Sequence, residues 1–346
     1  MATARRTPTI QDVARQAQVS AATVSRVLTA PERVADATRE RVQAAVRATG
    51  YTVNQAARSL RLKSARTILL AAPNIANPFY SIILDAAIVA AAERGYSVMV
   101  TSRIGDDPNR WLHDYLLSTR ADGLVLLDGS LDTSRLHNLG AGGIELPLVA
   151  AYDESPDPAI ASVLTDNREA AMRAVRHLIA IGHTEVAHVV GPSQHRDQEN
   201  ERLVGYRAAM AEARLPVREE WLFQGNYEVE SGTAAGAHFL TLANRPTAIF
   251  AANDEMALGL IHRLKRDGIT CPADISVVGF DDTAMAAYYD PPLTTMRQPR
   301  EEIGRAAITE LIDQIEGTRP AAKPVHIVLR SKLVVRESTA PPPHRR

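Results

Sequence analysis

The sequence contains a single cysteine, Cys271, in 346 residues. No internal disulfide and no cysteine-based zinc cluster can form, which suits a reducing compartment and argues against secretion. No uninterrupted apolar run approaches the roughly 20 residues that a membrane helix requires. The opening segment carries Arg5 and Arg6, but Thr7-Pro8-Thr9 and a polar stretch stand where a signal peptide would have its apolar core. The chain reads as soluble and cytoplasmic, with no membrane partner. Catalytic signatures are missing as well. There is no P-loop, no Gly-x-Gly-x-x-Gly and no Gly-x-Ser-x-Gly, and Gly191-Pro-Ser193 does not complete a nucleophile elbow. His183 and His188 flank a strand candidate at a spacing unsuited to sharing a metal. No catalytic residue, metal or cofactor is assigned.

Strong net charge is also absent, yet the value of -1 conceals an asymmetry. Residues 1–66 hold 12 Lys and Arg against 4 Asp and Glu, a net +8, which leaves -9 for the remainder. A basic head on an acidic body points to a polyanion contacted from one end, unless the head is only a solvated basic arm. Length predicts two to three folded units, and 45% apolar with 23% charged residues is ordinary globular composition.

The head has helical periodicity. Thr9 precedes a segment in which Ile10, Val13, Ala14 and Ala17 share one face. After the short turn Gln18-Val19, Ser20 stands at an N-cap position before a second stripe of Val24, Val27 and Leu28. Two short helices joined this tightly suggest a helix-turn-helix. A third helix is signalled by Asp36 or Thr38 as cap, by Val42, Ala45 and Val46 facing inward, and by Gly50 as stop. In such a unit the second helix enters the major groove. Ala21, Ala22 and Arg26 are then placed for base edges, with Arg26 suited to guanine and an alanine methyl to thymine. Ser20, Thr23 and Ser25 can reach phosphate oxygens. A plain three-helix bundle is the competing reading, and the charge of the segment weighs against it.

These residues carry a resemblance. Thr9-Ile-Gln-Asp-Val-Ala-Arg-Gln-Ala17, Val19-Ser20, Thr23-Val-Ser-Arg-Val-Leu28, Gly50-Tyr51, Asn54 and Ala57-Arg58-Ser59-Leu60 resemble the N-terminal domain of the lactose/galactose-repressor family. The resemblance implies a ligand-controlled transcription factor, usually a repressor. It also implies contact with operator DNA through Thr9, Asn54, Ala57 and Arg58, and wedging of Leu60 into the minor groove at the operator centre. Residues 54–62 contain good helix formers but are fewer than the roughly 12 to 15 that a solitary helix needs, so they should form a helix only when supported. The other reading is that Leu60 and Leu62 pack against the body.

From Thr67 onward, short apolar runs alternate with helical stretches. Strand candidates at 68–72, 98–101, 124–127 and 148–150 precede a second series at 186–190, 248–251 and 275–279, with helices near 168–181, 199–213 and 254–267. Two βα series predict two lobes with mostly parallel sheets, and ligands of such sheets bind at the C-terminal strand ends. There the sequence places Asn77, as a helix cap, with Phe79 and Tyr80, an adjacent pair in a chain only 5% aromatic. Asn253-Asp254 and Asp281-Asp282 each follow an apolar strand directly. Carboxylate and amide groups suit hydroxyl-rich ligands, because each hydroxyl both donates and accepts. Capping of the following helices by Asn253 or Asp254, and by Asp281 or Asp282, is an equally physical reading.

Asn77-Pro-Phe-Tyr80, Asn253-Asp254, Ile275 to Asp282, Pro292-Leu-Thr-Thr295 and Gln298 are similar to the effector-domain signatures of the same family, extending the resemblance over nearly the whole chain. It implies a two-lobed, periplasmic-binding-protein-like (type I) α/β effector domain. Phe79, Tyr80, Asp153, Arg202, Tyr227, Asn253, Asp281 and Gln298 become candidate effector contacts, and a carbohydrate or related polyol the candidate effector. One departure is Ala170, where the family usually has glycine three residues beyond Asn167.

The expected organisation is a helix-turn-helix domain at 1–52, a hinge helix and linker at 53–66, a body at 67–338 and a disordered tail at 339–346. Within the body, lobe 1 takes about 67–164 and 293–324, and lobe 2 about 165–292 and 325–338. Three consecutive prolines near the C-terminus exclude a tetramerising leucine helix, so a homodimer on a palindromic operator is expected. A sugar transport receptor would share the body but needs export, an enzyme on the same lobes would turn its ligand over, and an activator or corepressor-dependent regulator stays open.

Overall fold

The computed structural model describes residues 8–51, 64–102, 121–127, 129, 146–151, 158–192, 200–318 and 324–343. The chain forms two compact units, Met1–Ala65 and Arg66–Arg346.

In the first unit, α1 (Ile10–Ala17), α2 (Ala21–Thr29) and α3 (Asp36–Thr49) enclose a core of Val13, Ala14, Ala17, Val24, Val27, Val42 and Ala45. The Asp12 carboxylate accepts from Thr9 N at 2.9 Å and Thr9 Oγ1 at 2.7 Å, fixing the start of α1. Gln18 turns left-handed at φ 54° to redirect the chain into α2, and Gly50 at φ 66° ends α3. The cap of α3 is Ala35, not Asp36 or Thr38. The 3-10 turn Pro31–Arg33 uses up the preceding residues, so Asp36 becomes the first helical residue, paired with Arg39 at 2.6 Å. Its charge still faces the positive end of the helix dipole.

The second unit holds two six-stranded sheets. The first contains β1 (Thr67–Ala72), β2 (Ser97–Ser102), β3 (Gly123–Leu126), β4 (Leu148–Ala150), β5 (Ala161–Thr165) and β11 (His326–Leu329), all parallel, in the order β11-β5-β4-β3-β1-β2. The second contains β6 (Val186–Val190), β7 (Leu222–Gln224), β8 (Ala248–Ala251), β9 (Ser276–Asp281), β10 (Thr294–Arg297) and β12 (Lys332–Val334), in the order β12-β10-β9-β8-β6-β7. Among the described strands, only β12 runs antiparallel. Inner strands such as Thr67–Ala72 are almost wholly apolar because side chains on both faces are buried: Ile68, Leu70 and Ala72 join one core cluster, and Leu69 and Ala71 another. The helices are α4 (Pro78–Glu93), α5 (Asn167–Ala180), α6 (Glu201–Glu212), α7 (Val229–Thr241), α8 (Asp254–Arg266), α9 (Ala284–Tyr288) and α10 (Arg300–Ile315).

The lobe boundaries differ from expectation after residue 292. β10 belongs to the second sheet, not the first lobe, because it extends β9 in parallel register before the chain leaves. α10 then packs on the first lobe through Ile303, Ala307, Ile308, Leu311 and Ile312. β11 lies in the first sheet against β5, and only at β12 does the chain return. The polypeptide thus crosses between lobes after Thr165, after Arg297 and after Leu329. These crossings are tied together: Thr165 Oγ1 donates to Gln298 Oε1 at 3.0 Å, and Ser331 N donates to Asp166 Oδ1 at 2.8 Å.

The expected disordered tail is overturned for 339–343. Ala340 O accepts from Ser276 Oγ and His183 Nε2 at 2.9 Å each, and Thr339 Oγ1 bonds His177 Nε2 at 3.0 Å. The physical reason is that Ser276, Thr294 and His183 are buried at the base of the second sheet and need polar partners. Residues 344–346 lie outside the described residues.

Candidate functional site

In the first unit, the Ser20 hydroxyl accepts from Thr23 N at 3.1 Å and bonds Thr23 Oγ1 at 2.9 Å, so both side chains secure the first turn of α2. Ser20, Ala22 and Arg26 are exposed, whereas Thr23 and Ser25 are half-buried. Ala21 is half-buried against the helical core, which leaves Ala22 and Arg26, four residues apart on one face, as the open group. Asn54, Ala57, Arg58 and Leu60 lie outside the described residues.

In the second unit a cavity of about 170 Å³ opens between the lobes. Phe79, Tyr80, Arg202, Tyr227, Asn253, Asp281 and Gln298 all line it, while Asp153 lies outside the described residues. The first lobe contributes Phe79 and Tyr80 from the opening of α4, where Asn77 Oδ1 accepts from Phe79 N at 2.9 Å. The two rings meet edge to face with centroids 5.1 Å apart.

The second lobe contributes the polar wall. Asn200 caps α6 by accepting from Arg202 N at 2.9 Å and donates to the Tyr227 hydroxyl at 2.7 Å. Arg202 donates to Asn167 Oδ1 at 3.1 Å and to Ala252 O at 2.5 Å, with its guanidinium carbon 4.0 Å from the Phe280 ring centre. Asn253 does two things at once: its Oδ1 caps α8 through Met256 N at 3.0 Å, and its Nδ2 donates to Tyr227 O at 3.0 Å. Tyr227 is held in left-handed backbone at φ 67°. Its ring lies so close to residue 191 that a Cβ there would sit 2.2 Å from it, which requires glycine.

Asp281 ends β9 and accepts from Gln298 Nε2 at 2.7 Å. Burial pushes its carboxyl up to about 6, against the opposing pull of Arg202 and the Gln298 hydrogen bond. Neighbouring Asp254 is fully buried and accepts from Thr283 N at 2.7 Å and Thr295 Oγ1 at 2.6 Å. Burial and the charge of Asp281 raise it to about 8. Neither Asp281 nor Asp282 caps the next helix, whose N-cap is Thr283. Asp282 is instead taken by Arg297 and Arg336, at 2.5 and 2.6 Å.

Asn74, Thr165, Asn167, Asn226 and Glu228 also line the cavity, none of them marked for it by the sequence pattern. Asn226 and Glu228 flank Tyr227 after a three-residue strand too short to read, and Thr165 ends a strand whose pattern is mixed. His183 and His188 act structurally. His183 bonds Thr247, Ser276 and Ala340, and His188 lies within β6, stacked on Phe250 at 4.7 Å. Among the described residues no helix is long and apolar enough to cross a membrane, and no cluster of three or more His, Cys, Asp or Glu converges.

A three-helix unit with an exposed second helix, followed by two linked parallel sheets around a polar cleft, defines a class of DNA-binding sensor proteins. Sequence and structure comparisons agree with it. A family profile described as "Bacterial regulatory proteins, lacI family" matches residues 9–54, and one described as "Periplasmic binding protein-like domain" matches residues 175–339. The HTH-type transcriptional repressor CytR of Escherichia coli K12 is 36% identical over 342 residues, covering 96% of each chain. A lac repressor dimer bound to operator and the anti-inducer ONPF superimposes with a TM-score of 0.83 at 29% identity, covering 97% of this chain and 100% of that one. The CelR–cellobiose complex, a transcriptional regulator, does so with a TM-score of 0.71 at 33% identity over 96% and 99%. The chain belongs to the lacI family of bacterial regulatory proteins.

Proposed function

We propose that the protein is a cytoplasmic, ligand-responsive transcriptional repressor. It binds a palindromic operator as a homodimer under control of a small sugar-like effector, and it is not an enzyme. The observation that carries this reading is the union, in one chain, of an exposed Ala22–Arg26 helix face with a cleft whose polar wall of Arg202, Asn253 and Asp281 faces Phe79 and Tyr80. Hydroxyl-rich ligands match that division, since aromatic rings cover the C–H face of a sugar while amide and carboxylate groups exchange hydrogen bonds with its hydroxyls. Relatives named as repressors, a solved relative on its operator and another holding cellobiose support the assignment.

In this reading Ala22 and Arg26 meet base edges. Ser20, Thr23 and Ser25 meet phosphates, together with Thr9 at the head of α1. Asn54, Ala57, Arg58 and Leu60 form the hinge contact, an assignment that rests on sequence alone. The effector is held by Phe79, Tyr80, Asp153, Arg202, Tyr227, Asn253, Asp281 and Gln298. A ligand that prefers one lobe arrangement biases the three crossings, and coupling of roughly 1 to 3 kcal/mol to DNA affinity is typical. A homodimer is supported by apolar side chains left open on each lobe, Ile88, Val89, Met99 and Val100 on the first and Met285 and Tyr288 on the second.

The test selects duplexes from a random pool with full-length protein and measures affinity against salt, with and without cellobiose, D-ribose and uridine. Selection of a palindrome whose affinity falls steeply with salt, and shifts with one of these compounds, is the expected result. Asp281→Ala should abolish the shift while keeping operator affinity. Absence of salt-sensitive binding to any duplex under all conditions overturns the proposal.

A further inference from the structure

The turn that presents Asp281 is strained. Asp281 and Asp282 are consecutive residues with a side chain, yet both hold positive φ, 122° and 58°. Such a conformation persists only where its surroundings over-determine it.

The surroundings do so from every side. Thr283 N is held by Asp254 at 2.7 Å, and Asp282 O accepts from Arg300 Nη2 at 2.6 Å at the start of the first-lobe helix α10. The Asp282 carboxylate has one oxygen on Arg297 Nε and the other on Arg336 Nη2, so it is gripped from both sides. The two arms differ: the Arg297 side chain is 55% exposed, that of Arg336 only 17%. Arg336 is the sheltered arm, and its own position is fixed. Its Nη1 donates to Leu293 O at 2.8 Å and its backbone N to Thr294 Oγ1 at 2.9 Å. Two residues on, Ser338 Oγ donates to Val277 O at 2.6 Å and accepts from Thr294 N at 2.8 Å. The C-terminal strap is thereby bound across β9 and β10, the two strands that deliver Asp281 and Gln298 to the cleft.

We propose that Arg336, which does not line the cleft, is a positioning residue for effector recognition: through the Asp282 carboxylate it holds the strained turn in the shape that aims Asp281 into the cleft. The proposal rests on the reading of that cleft as the effector site. It makes the C-terminal segment part of the sensing machinery and not merely a seal on the second sheet. A lysine at 336 would keep the charge but lose the planar fork that bonds Asp282, Leu293 and the strap together.

Hydrogen–deuterium exchange on the full-length protein tests this without any ligand. In Arg336→Gln, exchange at the amides of 281–284 should rise at least tenfold while β6 and β8 stay protected, and Arg336→Lys should recover part of the protection. In parallel, affinity for whichever of cellobiose, D-ribose or uridine stabilises the parent should fall at least tenfold, with operator affinity unchanged. If Arg336→Gln does not fold, Asp282→Asn removes the gripped charge at constant shape and reads the same amides. Unchanged exchange at 281–284, or equal loosening throughout the second lobe, overturns the proposal. If no compound binds the parent, the effector reading fails, but the exchange result still decides whether Arg336 holds the turn.

Discussion

Asp254 is buried, and three donors from Thr283 and Thr295 surround its carboxylate. Those donors favour the ionised form, yet burial and the charge of Asp281 outweigh them and raise it to about 8, with Asp281 raised to about 6 by burial. Both values lie above the ordinary 3.8, so the folded protein holds protons that the unfolded chain releases. Stability from this pair is therefore complete below about pH 4 and declines as pH rises through 6 to about 8. Asp254→Asn should flatten that decline, read as the slope of the thermal midpoint between about pH 5 and 8. Retention of the parent slope would assign it to other groups. Arg26 makes a separate expectation. Exposed one turn beyond Ala22, it should contribute about 1–3 kcal/mol of base discrimination if it reads guanine bidentately. Arg26→Ala should reduce the ratio of operator to random-duplex affinity accordingly, and an unchanged ratio would remove it from base readout. Residue roles of a local kind are legible in the sequence itself. Ser20, Asn77 and Asn253 cap helices because a short polar side chain reaches its own backbone within three residues. The grip on Asp282 is not legible there, since its partners lie 15 and 54 residues away.

At the scale of elements, strands with unbroken apolar runs are readable because parallel strands buried on both faces leave no room for polar alternation. Helix α7 is not, and its glycines explain why. Val229–Thr241 contains Gly232 and Gly236, which lower helical propensity and read as breakers. Their reason is tertiary: a Cβ at Gly232 would sit 2.1 Å from Met256 O, and one at Gly259 would sit 2.1 Å from Val229 O. The two helices α7 and α8 touch backbone to backbone. Alanine at 232 would gain up to about 1 kcal/mol of helix propensity, but the clash falls on a carbonyl that cannot swing aside. Overpacking of about 1–3 kcal/mol or more should win. Gly232→Ala is thus expected to lower the urea midpoint at unchanged slope, and a rise in midpoint would show that the helices can part without cost. The misplacement of β10 and β11 has a related cause. Both are short segments whose sheet is chosen by register against β9 and β5, information that a linear pattern does not contain.

For the whole molecule, the question is what covers the first lobe's outer face. Helix α4 is apolar on more than one side: Ile83, Ala87, Ala90 and Ala91 enter the core, yet Ile88 remains 46% exposed and Val89 44%. It packs beside β2, the end strand of the first sheet among the described strands, whose Met99 and Val100 are also exposed, one on each face of the sheet. A strand edge unpaired among the described residues, next to exposed aliphatic side chains, is a surface that proteins normally protect. Under the proposed function, a second copy of the chain related by a twofold axis would cover both at once and supply the two reading heads that a palindrome requires. Ile88→Asp places a charge on that face without touching the core, so the subunit fold should persist by circular dichroism while sedimentation shows a monomer. Loss of the second head removes an avidity of about 10² or more, so affinity for the full palindrome should fall by about that factor while a half-site is bound as before. A variant that stays dimeric, or a monomer that binds the palindrome as tightly as the parent, would break the link between this face and operator recognition.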